Sequence, residues 1–255
     1  MASSRMAYRG WMSPGAVATW LGLLMITVLS WWYLVDMAAG MAEMPAGNMM
    51  SFRHWTPGYF VMMLVMWSIM MVAMMTPSAA PMIMLYRQVA RKNRLAGVGM
   101  GTALFVAGYV LTWVVFSLVA TTLQWLLEES ALLSARMASQ NQVFSGVVLI
   151  AAGIYQFSPL KQACLRRCRG PLLFITRYWQ SGLSGAFVMG LRHGAYCVGC
   201  CAALMALLFV GGVMDLVVIA GIAVLVLLEK LLPLGESMSK VVGILAIASG
   251  VVMIV

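Results

Sequence analysis

Within one long apolar stretch stand Arg192, His193, Cys197, Cys200 and Cys201, three thiols and an imidazole inside nine residues. Ionisable groups are costly in a bilayer and face a pathway, a partner or a site. Cys and His are also ligands that transition metals prefer. At 100° per residue, His193, Cys197, Cys200 and Cys201 fall within an arc of about 100° on one helix face. Rise limits what one ion can take, since His193 and Cys200 lie about 10 Å apart along the axis. Cys197 with Cys200 or Cys201 is feasible, because neighbours at i, i+3 and i, i+4 bring Cβ atoms to roughly 5–6 Å. The segment is therefore half a site, needing ligands from elsewhere.

Two sources suggest themselves. Cys164 and Cys168 stand four residues apart beyond Ser158-Pro159, a helix-start pair of N-cap serine and first-turn proline. The neighbouring Arg166, Arg167 and Arg169 would depress the pKa of both thiols. Methionine is the second source, with 25 in the chain. Met63, Met66, Met70 and Met74 share an arc of about 80°, with Met62 beside it and Met71 and Met75 on a neighbouring face. Neutral thioethers suit Cu(I) and avoid burying charge. Met37, Met41, Met44, Met49, Met50 and His54 mark the preceding loop. Methionine also serves as apolar filler.

These residues need membrane helices to position them. The chain is 63% hydrophobic and 9% charged, against roughly 25% charged in soluble domains. It reads as one all-α, polytopic membrane domain over 1–255. Spans of about 20 residues are expected near 17–35, 59–80, 98–126, 142–158, 190–212, 214–230 and 238–255. With the N-terminus inside, every basic residue but Arg53, Arg136 and Arg192 falls on inner segments. That positive-inside bias gives N-in, C-out, and it explains the +9 net charge without nucleic acid. Arg5 and Arg9 before an apolar run ending in Trp31-Trp32-Tyr33 read as a retained first span, not a cleaved signal. Glu128 and Glu129 open an outer segment, about 128–141, read as a short interfacial helix.

Residues 59–86 would make a helix of about 42 Å against a core of about 30 Å. Pro77 and Pro81 each remove a helix hydrogen bond, so the second helix is expected to break at Thr76–Pro81. Glu229-Lys230 closes the sixth span and is expected to pair with Arg192 as a clamp. Asp215 is expected to cap the sixth helix. No phosphate loop, nucleotide fingerprint, nucleophile elbow or paired catalytic carboxylates are present.

Met70-Met71-Val72-Ala73-Met74-Met75-Thr76-Pro77-Ser78-Ala79-Ala80-Pro81-Met82, Tyr155-Gln156-Phe157-Ser158-Pro159-Leu160-Lys161 leading to Cys164 and Cys168, Gly190 through Cys201, and Leu228-Glu229-Lys230-Leu231 resemble a bacterial family of predicted metal-binding integral membrane proteins catalogued as a domain of unknown function. The resemblance covers roughly residues 59–250 and departs at Asp215, where the family favours Asn. It implies a multi-pass inner-membrane protein with a metal role.

The expected function is to bind a soft transition metal, Cu(I) first, and to transport it or hand it over. The Met-rich outer loop would collect the ion, and Met70, Met74 and Met75 would conduct it. Cys197, Cys200 and Cys201 with His193 would receive it, and Cys164 and Cys168 would pass it on. Its partners would be the bilayer, the ion and a metallochaperone or metallo-oxidase under assembly. Two alternatives stay open: a membrane thiol-disulfide oxidoreductase using Cys197-Val198-Gly199-Cys200, and a non-catalytic assembly partner of a metalloprotein.

Overall fold

A computed structural model describes residues 13–43, 55–133, 139, 141–232 and 234–255, without the side chains of 41–43. Among these the regular structure is helical: α1 Pro14–Glu43, α2 Pro57–Lys92, α3 Val98–Glu129, α4 Gln142–Gln156, α5 Pro159–Arg169, α6 Pro171–Tyr178, α7 Gly182–Ala206, α8 Leu208–Gly211, α9 Leu216–Leu231 and α10 Gly235–Ile254. The all-α class is as expected. Met44, Met49, Met50 and His54 lie outside the described residues, as does the side chain of Met41. Glu128 and Glu129 end α3 and do not open a new helix; residues 134–138 and 140 lie outside the description.

Five helical stretches are long and apolar enough to cross a membrane: Pro14–Gly40, Pro57–Lys92, Val98–Glu129, Gly182–Gly211 and Gly235–Ile254. A sixth arises if α4 and α5, bent by 63° at their junction, count as one broken span. Seven spans are thus not confirmed by length and composition among the described residues. α4 has 15 residues and α9 has 16, about 23–24 Å of helix, short of a straight crossing of about 30 Å.

α2 runs at the centre, packed by α1, α3 and α9. Thr56 caps it by accepting from the Tyr59 N–H at 3.2 Å, with Pro57 at the first helical position. The expected break at Pro77 and Pro81 does not occur, and α2 is helical for all 36 residues. Side chains serve the backbone there: Ser78 Oγ and Tyr109 Oη donate to the Met75 carbonyl at 2.9 and 3.1 Å. Neither bond replaces what the prolines remove, because the carbonyls left without a helical donor are those of Ala73 and Pro77, four residues back from each ring; α2 is held helical by the helices packed on it.

α3 and α7 make the closest helix pair, and glycine is the reason. A Cβ on Gly190 would strike the Phe105 carbonyl, one on Gly108 the Phe187 carbonyl, and one on Gly194 the Thr112 side chain. Small residues let backbones approach, which is how membrane helices gain packing without a hydrophobic drive. The rising pairs Phe105–Gly190 and Thr112–Gly194 make α3 and α7 parallel. Gly146–Gly250 and Gly153–Gly243 likewise join α4 and α10, antiparallel. Ser158 caps α5 as expected, accepting from the Lys161 N–H at 3.1 Å. Asp215 caps α9, accepting from Val217 and Val218 at 2.8 and 3.0 Å.

Candidate metal centre

The parallel packing of α3 on α7 and the bend between α4 and α5 bring four thiols together. Cys197, Cys200 and Cys201 point inward from α7, each 1% exposed. Cys168 reaches them from α5, its Sγ 3.8 Å from that of Cys200. Cys200 and Cys201 Sγ lie 3.4 Å apart, and Cys197 interacts with Cys168, Cys200 and Cys201. Cys200 also donates to the Cys197 carbonyl at 3.2 Å. α7 begins at Gly182, so Cys197 lies about 22 Å into the helix. α5 packs along α7 and so covers the thiols from the basic end of the bundle.

An ammonium completes the cluster. Lys230, from the last turn of α9, donates to Cys197 Sγ at 2.8 Å and to Ser78 Oγ at 3.1 Å. Tyr109 Oη lies 3.2 Å from the same sulfur while bonding the Met75 carbonyl. The hydroxyl thus bridges the proline segment of α2 to the thiols. The sequence reading missed both residues. An intramembrane lysine beside a glutamate was the available signal for Lys230; nothing in local spacing marks Tyr109.

The expected pairing of Glu229-Lys230 with Arg192 is overturned. Glu229 pairs with Lys161 at 3.0 Å, both side chains essentially fully buried. Gln156 takes a further bond from Lys161 and one from Ser239 at 3.1 Å. Arg192 instead lies over the Tyr178 ring at 4.8 Å. α7 turns position 192 toward the exposed side, where a guanidinium keeps its hydration.

Of the remaining site residues, Cys164 stands apart from the four thiols, against Gly199, where a Cβ would meet its Sγ at 2.8 Å. Tyr155 donates to the Gly199 carbonyl at 2.6 Å beside it. Burial pushes the Cys164 thiol up against the weaker pull of Arg167, the reverse of the expected depression. His193 is buried among Tyr109, Phe105 and Phe174, with ring centroids 5.5, 6.1 and 5.5 Å away. Its Nδ1 has no hydrogen-bond partner among the described residues. A buried polar atom without a partner costs about 1–3 kcal/mol, so this imidazole is poised rather than satisfied. Met63, Met66, Met70, Met71, Met74 and Met75 are all buried along α2.

The donor set suits a soft ion, with four thiols, an unpartnered imidazole and thioethers in a dry interior. As they stand, no three His, Cys, Asp or Glu among the described residues are arranged around one ion point. The thiols are hydrogen-bonded to one another.

Comparison with known proteins agrees with this chemistry. No curated protein and no solved structure matches the chain. A family described as PpoB2, copper chaperone, matches residues 64–253, a stretch holding all five cysteines, His193, Lys230 and the methionines of α2 from Met66 on. On that match the chain belongs to the PpoB2 copper chaperone family.

Proposed function

We propose that the chain is a membrane-embedded Cu(I) carrier that receives the ion at Cys168, Cys197, Cys200 and Cys201 and hands it to an acceptor protein. The observation that carries this reading is the convergence of Cys168, from α5, on three thiols of α7 beside the Lys230 ammonium. Cu(I) held by two thiolates carries a net negative charge. Burying that charge is costly unless it is paired, and Lys230 supplies the partner at 2.8 Å from Cys197.

The methionines of α2 make the route. Met63 to Met74 spans about 16 Å of helix, and Tyr109 joins the Met75 carbonyl to Cys197. In the N-in, C-out orientation the ion enters from the outer, Met-rich side and stops at the thiols. His193 is a supplementary ligand one turn before Cys197. Cys164, beside Gly199, is the onward thiol toward a cytoplasmic metallochaperone or a metallo-oxidase under assembly, at a bacterial inner membrane. The family's copper chaperone description favours handing over rather than net transport. The oxidoreductase alternative asks for an accessible thiol, whereas Cys197, Cys200 and Cys201 are each 1% exposed.

Metal content tests the reading. Protein purified under reducing conditions with added Cu(I) should retain about one ion per chain. The Cys197→Ser/Cys200→Ser/Cys201→Ser variant should retain less than a tenth of that. Equal, near-zero stoichiometry in both defeats the proposal.

A further inference from the structure

On the outside of the thiol end of the bundle, α5, α6 and α7 bring three guanidiniums to two tyrosine rings. Arg167 of α5 lies over the Tyr196 ring at 4.7 Å and donates to its hydroxyl. Arg192 of α7 lies over the Tyr178 ring at 4.8 Å, and Arg177 lies 5.9 Å from the same ring. The two rings are 6.1 Å apart, and their hydroxyls share one hydrogen bond at 2.9 Å. One of the two phenolic hydrogens is therefore left without an acceptor among the described residues. None of the three arginines meets a carboxylate among those residues. Glu229 and Glu236, where α9 ends and α10 begins, pair with Lys161 and Arg166.

The cluster is also placed for lipid. Gly182–Gly211 is 30 residues long, about 45 Å of helix, which exceeds a hydrocarbon core of about 30 Å. Arg192 is exposed and stands about 15 Å from the start of α7. With the far end of the stretch level with the opposite face of the core, Arg192 reaches the layer of phosphates. Beside it α6 is two-faced: Phe174 and Ile175 are buried, whereas Leu172 and Leu173 are 65% and 76% exposed on the side that also carries Arg177. Outward leucines next to arginines suit a helix lying in the interface, apolar side chains in the acyl region and cations at the headgroups. A soluble anion would account for the guanidiniums and not for these leucines. A topology signal, in turn, needs only positive charge somewhere on the inner segments. Here three helices gather it onto one pair of rings, with N–H and O–H donors left over.

We infer that Arg167, Arg192, Tyr178 and Tyr196, with Arg177 at the rim, bind the phosphodiester of an anionic phospholipid in the leaflet at the thiol end. Guanidiniums bond phosphate oxygens in pairs, the spare phenolic hydrogen adds a donor, and the acyl chains lie along Leu172 and Leu173. The site does not depend on the carrier reading above.

Native mass spectrometry of the delipidated full chain in detergent, titrated with phosphatidylglycerol or phosphatidylcholine, tests this. Wild type should bind one phosphatidylglycerol clearly more tightly than phosphatidylcholine. Each basic residue beside an anionic headgroup is worth about fivefold in affinity, so Arg167→Gln/Arg192→Gln should weaken that site about twentyfold. Arg192→Gln alone, at an exposed position, should keep the wild-type melting temperature and weaken binding about fivefold. Arg91→Gln/Lys240→Gln removes the same charge from exposed positions that touch neither tyrosine, and should leave the site unchanged. Phosphatidylglycerol bound no more tightly than phosphatidylcholine, or equal weakening in the two double variants, overturns the inference. Displacement of the lipid by millimolar inorganic phosphate would give the site to a soluble anion and overturns it as well.

Discussion

Adjacent residues of α9 do different work because a helix turns them to different neighbours. Glu229 meets Lys161 at 3.0 Å, with Gln156 and Ser239 completing the network. Lys230 turns instead to Cys197 and Ser78. Removing one partner of a buried ion pair leaves a bare charge and costs about 3–5 kcal/mol, whereas apolar replacement of both is often neutral. Lys161→Met should therefore lower the melting temperature in detergent sharply, and Lys161→Met/Glu229→Leu should recover most of the loss. Equal melting of the single and double variants would assign the stability to Gln156 and Ser239 instead. At this scale the thiol spacing in α7 and the caps at Ser158 and Asp215 were legible, since they depend on near neighbours in sequence. The partners of Lys230, Glu229 and Arg192 were not, because each contact joins different helices, from 14 residues apart for Arg192 and Tyr178 to 152 for Lys230 and Ser78.

Helix pairs are set by where glycine removes a side chain. At Gly190 even one methyl group would strike the Phe105 backbone, which cannot rotate away as a side chain can. At Gly221 nothing lies within 4 Å of an added Cβ, and alanine is the better helix former by about 1 kcal/mol. Gly190→Ala should destabilise by about 1–3 kcal/mol through overpacking and move α7 against α3. Gly221→Ala should be neutral or mildly stabilising. Thermal unfolding of the two variants side by side checks both, and equal behaviour would discount close packing of α3 on α7. The prolines mark the limit of reading an element alone. The missing hydrogen bonds at Pro77 and Pro81 predicted a break, yet α2 stays helical where α1, α3 and α9 pack on it. Local sequence states what a helix lacks and not what a neighbouring helix provides.

For the whole molecule, orientation decides which end admits the ion. The N-in, C-out reading places the loop at Gly97 inside and Asn141 outside. A cysteine introduced at Asn141 should react with a membrane-impermeant maleimide in intact spheroplasts. One at Gly97 should react only after permeabilisation, and the buried native thiols should contribute little to either signal. The opposite pattern would reverse the direction of the proposed route while leaving the thiol cluster intact.

Composition and periodicity by themselves determined that this is an all-helical membrane protein with an inward-facing thiol stripe and a buried methionine stripe. Both follow from the cost of polar backbone in lipid and from 3.6 residues per turn. Tertiary structure alone decided that α5 bends back to add Cys168, that Lys230 faces Cys197, and that Cys164 stands aside at Gly199. It also decided that α2 stays continuous through its prolines. Those outcomes depend on helices far apart in sequence packing at glycine contacts, where one missing methyl group sets which side chains can meet.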